Sequence, residues 1–372
     1  AGRVRLRPVL MTALVASRAL NALFRLDVDP ATGALSCAAA GCTLPLDPVL
    51  ADAYGVTVAC GDLAPAGGGA PSPRHLAFVA YLRSPTYEGY LSRVDLDSGV
   101  LESTYDVGPE PTQTTAYDPA RNLLFLSSRF QAVGVARLRW FDLESPQVGF
   151  GEADFGAVVR GAELVTLALS TDSPPSRAYV AARLYDTDSA LSSGLRPVGD
   201  LGGALLVVDL EKALRVPTGA PVAEALLRVL HIDRGPAAVA VTPRLDATGA
   251  RIGDLVAVTS SDDGTMTLYD SALDTTAAVL SICGSGVTLS PASGKTPTAD
   301  DAAPGPCPLG DPSLGKQPYG LAWERYQPAG RALPLARLFV GSFDRSWVNA
   351  IVLDPSQPDL PVSWGRIGPE RP

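Results

Sequence analysis

Arginines are the side chains of this sequence whose spacing suggests a chemical role. They account for all but three of its 30 basic residues, and four of them, Arg18, Arg83, Arg129 and Arg183, close short apolar runs. A guanidinium group can hold a carboxylate through two parallel hydrogen bonds. If the four positions are equivalent in a repeated structure, they form a partial ring on one face that could bind carboxylates or an acidic partner. Composition alone is the alternative explanation, because arginine is the cation used throughout the chain.

Aromatic side chains lie in the segments that follow these arginines. Residues 83–89 contain Tyr87, residues 343–348 contain Trp347, and the Ser-, Gly- and Asp-rich stretch 185–203 begins with Tyr185. Aromatic and arginine side chains on loops above a rigid scaffold are typical of binding surfaces. The predicted binding residues are therefore Arg18, Arg83, Arg129, Arg183, Tyr185 and Trp347.

No catalytic or metal-binding motif is evident. The only histidines, His75 and His231, are too few for a three-histidine metal site, and neither a Gly-x-Ser-x-Gly elbow nor a P-loop occurs. Closely spaced aspartates could attract calcium, but none has a complete ligand loop, and plain turns explain them. These pairs are Asp27/Asp29, Asp95/Asp97 and Asp186/Asp188. We predict no catalytic residue, no metal and no cofactor.

Six short apolar runs that each end in aspartate indicate the architecture. They end at Asp27, Asp95, Asp142, Asp209, Asp270 and Asp354, at intervals of 47 to 84 residues. A second apolar run precedes each copy, and turn residues follow it. Strand-only repeats of roughly 40–50 residues are typical of β-propellers. We predict an all-β propeller of six blades, or seven if the longest interval holds another.

The ends of the chain predict how the propeller closes. The residues before Asp27 and after Asp354 together amount to one blade. We therefore expect the N- and C-terminal strands to share a blade, with residues 362–367 beside the N-terminal strands, which would remove exposed sheet edges. The prediction is one domain over residues 1–372, with loop insertions at 37–60, 185–203 and 283–307.

Five cysteines bear on the compartment, and none lies in CxxC spacing. Cys283 and Cys307 bracket a Gly- and Pro-rich stretch, and a disulfide there would stabilise the long loop by about 3 kcal/mol. Cys37, Cys42 and Cys60 could supply a second bridge, which leaves one cysteine over. Disulfides favour an oxidising compartment, so we predict a periplasmic, cell-surface or secreted bacterial protein. Five buried thiols in a cytosolic protein are the alternative.

Charge and hydropathy limit the partners. The net charge of −9 and the pI near 4.8 argue against nucleic acid. No run of 18 apolar residues occurs, so no membrane span is expected.

One repeat resembles a known family. Residues 235–270 contain Gly235-Pro236-Ala237-Ala238-Val239-Ala240-Val241-Thr242-Pro243 followed by Leu255-Val256-Ala257-Val258-Thr259-Ser260, and residues 315–354 match less well. This pattern is similar to YVTN-type, lactonase-like propeller repeats. The resemblance implies the fold, but that superfamily includes sugar lactonases, electron-transfer subunits and non-catalytic surface proteins, so it implies no catalytic residue here.

The sequence favours a non-enzymatic scaffold that binds other proteins in a bacterial envelope or secreted assembly. A lactonase-like hydrolase with its site at the channel mouth is the first alternative, with a carboxylate as general base or metal ligand. Its candidate carboxylates are Glu110, Glu163, Asp262 and Asp344. The second alternative is an anion- or glycan-binding module that uses the arginine positions.

Overall fold

Antiparallel strands form nearly all of the regular structure. The computed structural model describes residues 11–17, 20–28, 35–37, 42–83, 88–108, 112–127, 136–145, 150–159, 162–185, 200–217, 222–283, 286–291, 318–342 and 348–367. These residues build six antiparallel sheets arranged as a β-propeller, which confirms the predicted all-β fold and the count of six blades.

The first three blades are formed by strands β1 to β12. In blade one, β3 and β4 both pair with β2, and in blades two and three the strands pair in chain order. Blade one contains β1 Met11–Ser17, β2 Ala22–Val28, β3 Leu35–Cys37 and β4 Thr43–Leu44. Blade two contains β5 Ala51–Leu63, β6 Ser72–Arg83, β7 Gly89–Asp95 and β8 Val100–Gly108. Blade three contains β9 Thr115–Asp118, β10 Leu123–Leu126, β11 Arg137–Asp142 and β12 Phe150–Asp154.

The last three blades are formed by strands β13 to β25, and blade five has a fifth strand. Blade four contains β13 Ala162–Leu169, β14 Arg177–Tyr185, β15 Asp200–Asp209 and β16 Leu226–Ile232, with helix α1 Leu210–Leu214 and the 3-10 turn Ala223–Ala225 between the last two strands. Blade five contains β17 Pro236–Leu245, β18 Arg251–Ser260, β19 Thr265–Asp270, β20 Thr275–Cys283 and β21 Gly286–Pro291. Blade six contains β22 Pro318–Tyr326, β23 Leu335–Ser342, β24 Val348–Asp354 and β25 Gln357–Ile367.

The chain divides into two compact units. One comprises residues 1–129 with 140–150, and the other comprises 130–139 with 151–372. Within each unit, apolar side chains pack between neighbouring blades. In the first unit Phe78 packs with Leu124 and Phe141, and in the second Leu268 packs with Leu338. Full burial of such a side chain contributes about 1.5–3 kcal/mol.

The repeated aspartate caps a turn. Asp95 Oδ1 accepts hydrogen bonds from the backbone N–H groups of Asp97 at 2.9 Å and Ser98 at 2.8 Å. Asp142, Asp270 and Asp354 cap the turns after their strands in the same way, and Asp209 caps helix α1. Aspartate favours such turns because its side chain reaches backbone N–H groups two or three residues ahead. The Asp95/Asp97 pair is therefore a turn.

An arginine pairs with the second carboxylate oxygen of three of these aspartates. Arg74 bonds Asp95 at 2.5 Å, Arg244 bonds Asp270 at 2.7 Å and Arg331 bonds Asp354 at 2.6 Å. Burial alone would raise the pKa of Asp95, but the hydrogen bonds from Ser98 and Arg74 outweigh it and lower that pKa to about 2. The repeated aspartate thus has a structural role.

The expected closure is not found among the described residues, which begin at residue 11. Residues 362–367 belong to β25, which pairs with β24 in blade six, whereas β1 to β4 form a separate sheet. Each end of the described chain therefore contributes to its own blade. The prediction was based on the residues before Asp27 and after Asp354 adding up to one blade. The intervals between the repeated aspartates range from 47 to 84 residues, so such a sum cannot identify a blade that is shared by the two ends.

The predicted insertions are only partly described. Residues 51–60 of the segment 37–60 belong to β5, and residues 286–291 of the segment 283–307 form β21. Most of the segment 185–203 lies outside the described residues. No helix among the described residues has the length and apolar character needed to span a membrane.

The cysteine prediction is confirmed in the first segment. Cys37 and Cys42 form a disulfide, and the cysteine left over is Cys60, which is exposed as a free thiol. The predicted Cys283–Cys307 bridge is not tested, because Cys307 lies outside the described residues and only the backbone of Cys283 is described.

Candidate functional site at the ends of blades four and five

Arg183 is the predicted binding residue whose side chain the structure describes. Arg83 ends β6 and Tyr185 ends β14, and for both only the backbone is described. Arg18, Arg129 and Trp347 lie outside the described residues, as do Glu110 and Asp344 of the hydrolase alternative. The arginine ring therefore remains a prediction.

The strand register brings Arg183 together with two candidate carboxylates. Arg183 lies near the end of β14, directly across from Glu163 on β13 and Gly203 on β15. Its Nη2 atom lies 3.8 Å from Oδ1 of Asp262, which belongs to the turn between β18 and β19 of the next blade. Glu163 is buried at 4% exposure, whereas the Asp262 side chain is 41% exposed. One of the predicted binding residues and two of the candidate carboxylates of the hydrolase alternative thus lie together.

The turn that carries Asp262 is fixed by hydrogen bonds. The N–H of Ser261 donates to the carbonyl oxygen of Gly235 at 2.7 Å, and its hydroxyl donates to the same oxygen at 2.9 Å. Within the turn, the N–H of Gly264 donates to the carbonyl of Ser260 at 3.0 Å. The Asp262 carboxylate therefore stands on backbone that is anchored to the neighbouring segment.

Residues 233–235 form this neighbouring segment. A side chain at position 235 would not fit there. Gly235 has a φ of +74°, and a Cβ there would lie 2.3 Å from Cγ of Asp262. A Cβ on Gly203 would lie 2.5 Å from the carbonyl oxygen of Asp233. Ser260 and Thr265 donate hydroxyl hydrogen bonds to Asp233 at 3.0 and 2.5 Å. Only glycine fits these close approaches, so the segment is held in one position.

Arg234 and Asp263 form the most exposed pair of the site. Arg234 Nη2 lies 2.7 Å from Asp263 Oδ1, and the backbone N–H of Arg234 donates to Oδ2 at 2.8 Å. The Arg234 side chain is 56% exposed. Burial tends to raise the pKa of Asp263, but the hydrogen bonds and charge of Arg234 outweigh it and lower the pKa. Asp263 is therefore ionised at neutral pH.

We call these six charged residues the acidic loop cluster. Its members are Glu163, Arg183, Asp233, Arg234, Asp262 and Asp263. Four carboxylates against two guanidinium groups leave the cluster with a negative excess. Arg183 and Arg234 already face carboxylates, so this arrangement fits a cationic partner better than an anion.

The carboxylates whose pKa is lowered in this protein include Asp263 of the acidic loop cluster. The described residues include no group of three or more His, Cys, Asp or Glu side chains able to hold a metal ion. Shifts in carboxylate pKa are downward at Asp95, Asp172, Asp246, Asp263 and Asp354. The lowered pKa of Asp263 suits it to pairing with cations and N–H groups.

Sequence reasoning missed a second juxtaposition, in blade two. The register of β5 and β6 places the exposed Cys60 opposite His75. The Nδ1 atom of His75 lies 3.0 Å from Oδ1 of Asp97, and the two side chains are 60% and 61% exposed. No sequence motif joins these three residues, so strand register was the only signal that could have found them.

Comparisons with known proteins add no family. No family model matches the sequence, and no curated protein matches it. A chain of a crystal structure of the mitotic checkpoint complex aligns with a TM-score of 0.44 and 13% identity, covering 93% of this chain and 76% of that chain. A chain of hydrazine synthase from Kuenenia stuttgartiensis aligns with a TM-score of 0.44 and 13% identity, covering 94% and 80%. At these values neither likeness bears on function, and the YVTN-type resemblance remains a prediction.

Proposed function

We propose that this chain is a non-enzymatic β-propeller scaffold that binds a partner protein through the acidic loop cluster. The observation that carries the proposal is the combination of exposed charge and fixed backbone at this site. Asp262 and Arg234 are 41% and 56% exposed, yet the turns that hold them leave no space for a Cβ at Gly235. A preorganised surface loses little conformational entropy on binding.

The partner surface is expected to be basic. The exposed carboxylate of Asp262 and the partly exposed carboxylates of Asp233 and Asp263 favour a lysine- or arginine-bearing patch, and the chain as a whole carries a net charge of −9. Complementary charge raises association rates and excludes acidic competitors, and both effects weaken as salt is added. We therefore expect the affinity to fall as salt increases.

We further propose that the scaffold works in the bacterial envelope or in a secreted assembly. The Cys37–Cys42 disulfide supports this location, because structural disulfides persist in oxidising compartments. Decorated loops on a rigid propeller suit a component that holds other proteins together.

The test is gentle purification of the protein from its native cells, with size-exclusion chromatography and mass spectrometry of all co-eluting proteins. We expect a stoichiometric complex that the Asp262→Lys/Asp263→Lys double variant loses. Glu324→Lys is the matched control, because that carboxylate is 46% exposed on blade six, away from the cluster. A protein that elutes alone, or a complex that the double variant retains, would overturn the proposal.

A further inference from the structure

We infer that β16, the outer strand of blade four, pairs antiparallel with the same strand of a second copy of this chain. The strand is the last in the order β13-β14-β15-β16. Along the described chain, β15 is the one strand that hydrogen-bonds to it. An outer strand of this kind presents a row of N–H and C=O groups that another strand can bind.

The composition of β16 differs from that of the outer strands of blades two, three and six. Its sequence Leu-Leu-Arg-Val-Leu-His-Ile contains no carboxylate, proline or glycine. The outer strands of blades two, three and six carry residues that discourage edge pairing: Glu102 and Asp106 in β8, Glu152 and Asp154 in β12, and Pro358, Asp359 and Pro361 in β25. Natural sheets protect edges by charged residues and prolines, and β16 carries one such residue, Arg228, without a carboxylate or a proline.

Blade five contains a strand of similar composition, and in that blade a further strand pairs with it. Strand β20, Thr-Thr-Ala-Ala-Val-Leu-Ser-Ile-Cys, likewise contains no carboxylate and no proline. It is covered by β21 in an antiparallel register that runs from Ala278 opposite Pro291 to Cys283 opposite Gly286. A blade of this propeller therefore accepts a fifth strand on an uncharged edge. Strand β16 receives no such strand from the described residues.

Self-pairing of β16 is compatible with its charges. With Val229 on the two-fold axis, each Val229 faces its own copy, Arg228 faces Leu230, and His231 faces Leu227. No like charges stand opposite each other, and the Leu227 side chain, 45% exposed in one copy, loses exposed surface on pairing. A two-fold pair of this kind closes on itself and leaves no further edge to propagate.

The ends of β16 favour the antiparallel direction. The strand ends next to Asp233 of the acidic loop cluster, which carries the negative excess. At its beginning, acidic and basic groups are mixed: Lys212 lies 3.4 Å from the carbonyl oxygen of Glu224, and the exposed Arg215 pairs with Glu211. Parallel pairing would bring two acidic ends together, whereas antiparallel pairing sets each acidic end beside the mixed end.

Sedimentation velocity of the full chain from about 2 to about 200 μM tests the inference. We expect a monomer–dimer equilibrium. Val229→Lys places two charges face to face on the axis and should raise the dissociation constant at least about tenfold, whereas Val229→Thr should leave the dimer intact. Val100→Lys is the matched control, because Val100 is a 53% exposed residue of the outer strand β8.

A second measurement keeps the test decisive if Val229→Lys fails to fold. The Cys60→Ser/Val229→Cys variant should form a disulfide between two copies on mild oxidation, and wild-type β16 amides should gain hydrogen-exchange protection as protein concentration rises. A wild-type monomer at every concentration would overturn the inference. Failure of the cross-link, protection that does not depend on concentration, or a dimer untouched by Val229→Lys would overturn it as well. The outcome is independent of whether the acidic loop cluster binds another protein.

Discussion

Tyr179 donates its hydroxyl hydrogen to Oδ2 of Asp254 across 2.8 Å and thereby joins blade four to blade five. Asp254 is 1% exposed, and its other oxygen accepts from the Thr171 hydroxyl at 2.5 Å and from Arg251 at 2.9 Å. Burial, and then the charge of Asp254, raises the pKa of Tyr179. The hydroxyl therefore keeps its proton and remains a donor at physiological pH.

Loss of the Tyr179 hydroxyl should destabilise the protein. Tyr179→Phe leaves the buried Asp254 with one donor fewer, and a hydrogen bond to a charged group contributes about 1.5–3 kcal/mol. Tyr105→Phe is the matched control, since the Tyr105 hydroxyl is buried and has no hydrogen-bond partner among the described residues. Urea denaturation should show a lower free energy of unfolding for Tyr179→Phe alone. Equal behaviour of the two variants would contradict the role assigned to this bond.

Arg244 should be essential to the contact between blades five and six. It bonds Asp270 at 2.7 Å and the carbonyl oxygen of Pro355 at 2.5 Å, and Asp270 is 1% exposed. Arg244→Ala leaves that carboxylate buried without its cation, so we expect a loss of about 3–5 kcal/mol in the free energy of unfolding. Arg337→Ala removes a more exposed arginine from blade six and should cost far less. Thermal and urea unfolding of Arg244→Ala and Arg337→Ala measure the two losses in the free energy of unfolding.

The turn capped by Asp95 should make the free energy of unfolding depend on pH in the acidic range. Because the folded pKa of Asp95 is lowered to about 2, its ionised form contributes stability above the unfolded pKa of about 4, and this contribution is lost as pH falls through about 2. Asp95→Asn should therefore be less stable than wild type at pH 7, and the difference should shrink between pH 4 and pH 2. Asp97→Asn, whose carboxylate is 61% exposed, serves as the control. A difference that does not change with pH would refute the assignment.

At position 235, the steric clash of an added Cβ should be separable from the strain of a left-handed backbone conformation. Gly235→Ala adds a Cβ that collides with Asp262, whereas Gly330→Ala adds one at a similar φ of +81° with nothing within 4 Å. Both variants carry the strain of a left-handed residue, so the extra loss in Gly235→Ala measures the collision. We expect Gly235→Ala to be the less stable by at least about 1 kcal/mol and to weaken partner binding. Indistinguishable melting temperatures would show that the turn is not rigid.

The cysteines can be assigned chemically. Alkylation without reductant, followed by peptide mapping, should label Cys60 and recover Cys37 linked to Cys42. The predicted Cys283–Cys307 bridge should appear as a second linked pair in the same map. Labelling of Cys283 without reductant would refute that second disulfide.

Sequence periodicity was sufficient for the fold because the described turns carry their own chemistry, with Asp95, Asp142, Asp270 and Asp354 as caps. An aspartate two or three residues before the N–H groups that it caps is a local signal, readable without knowledge of the neighbours. The closure could not be predicted in this way. Pairing of β25 with β24 depends on competition between distant segments, which a count of residues does not measure.

The candidate site was predictable only in part. Arg183, Glu163 and Asp262 each follow from their position at strand ends, but their meeting depends on the register of β13 with β14 and on the approach of the next blade. Asp254 had no sequence signal, because its partners Thr171 and Tyr179 come from a different blade. Contacts between side chains of different blades depend on how the blades pack. A sequence pattern does not contain that information.

The positions of the aspartate-capped turns also indicate which loops of a blade can vary during evolution. In a four-stranded meander, the turn after the third strand lies at the opposite end of the blade from the loop that joins the second and third strands. In the repeats where they are described, the capped turns therefore stabilise one end of the blade, while Arg183 and Asp262 lie at the other. Loops at that second end can be lengthened, shortened or exchanged with the caps untouched. The residues that stabilise the fold and those of the acidic loop cluster thus lie at different ends of the same repeat.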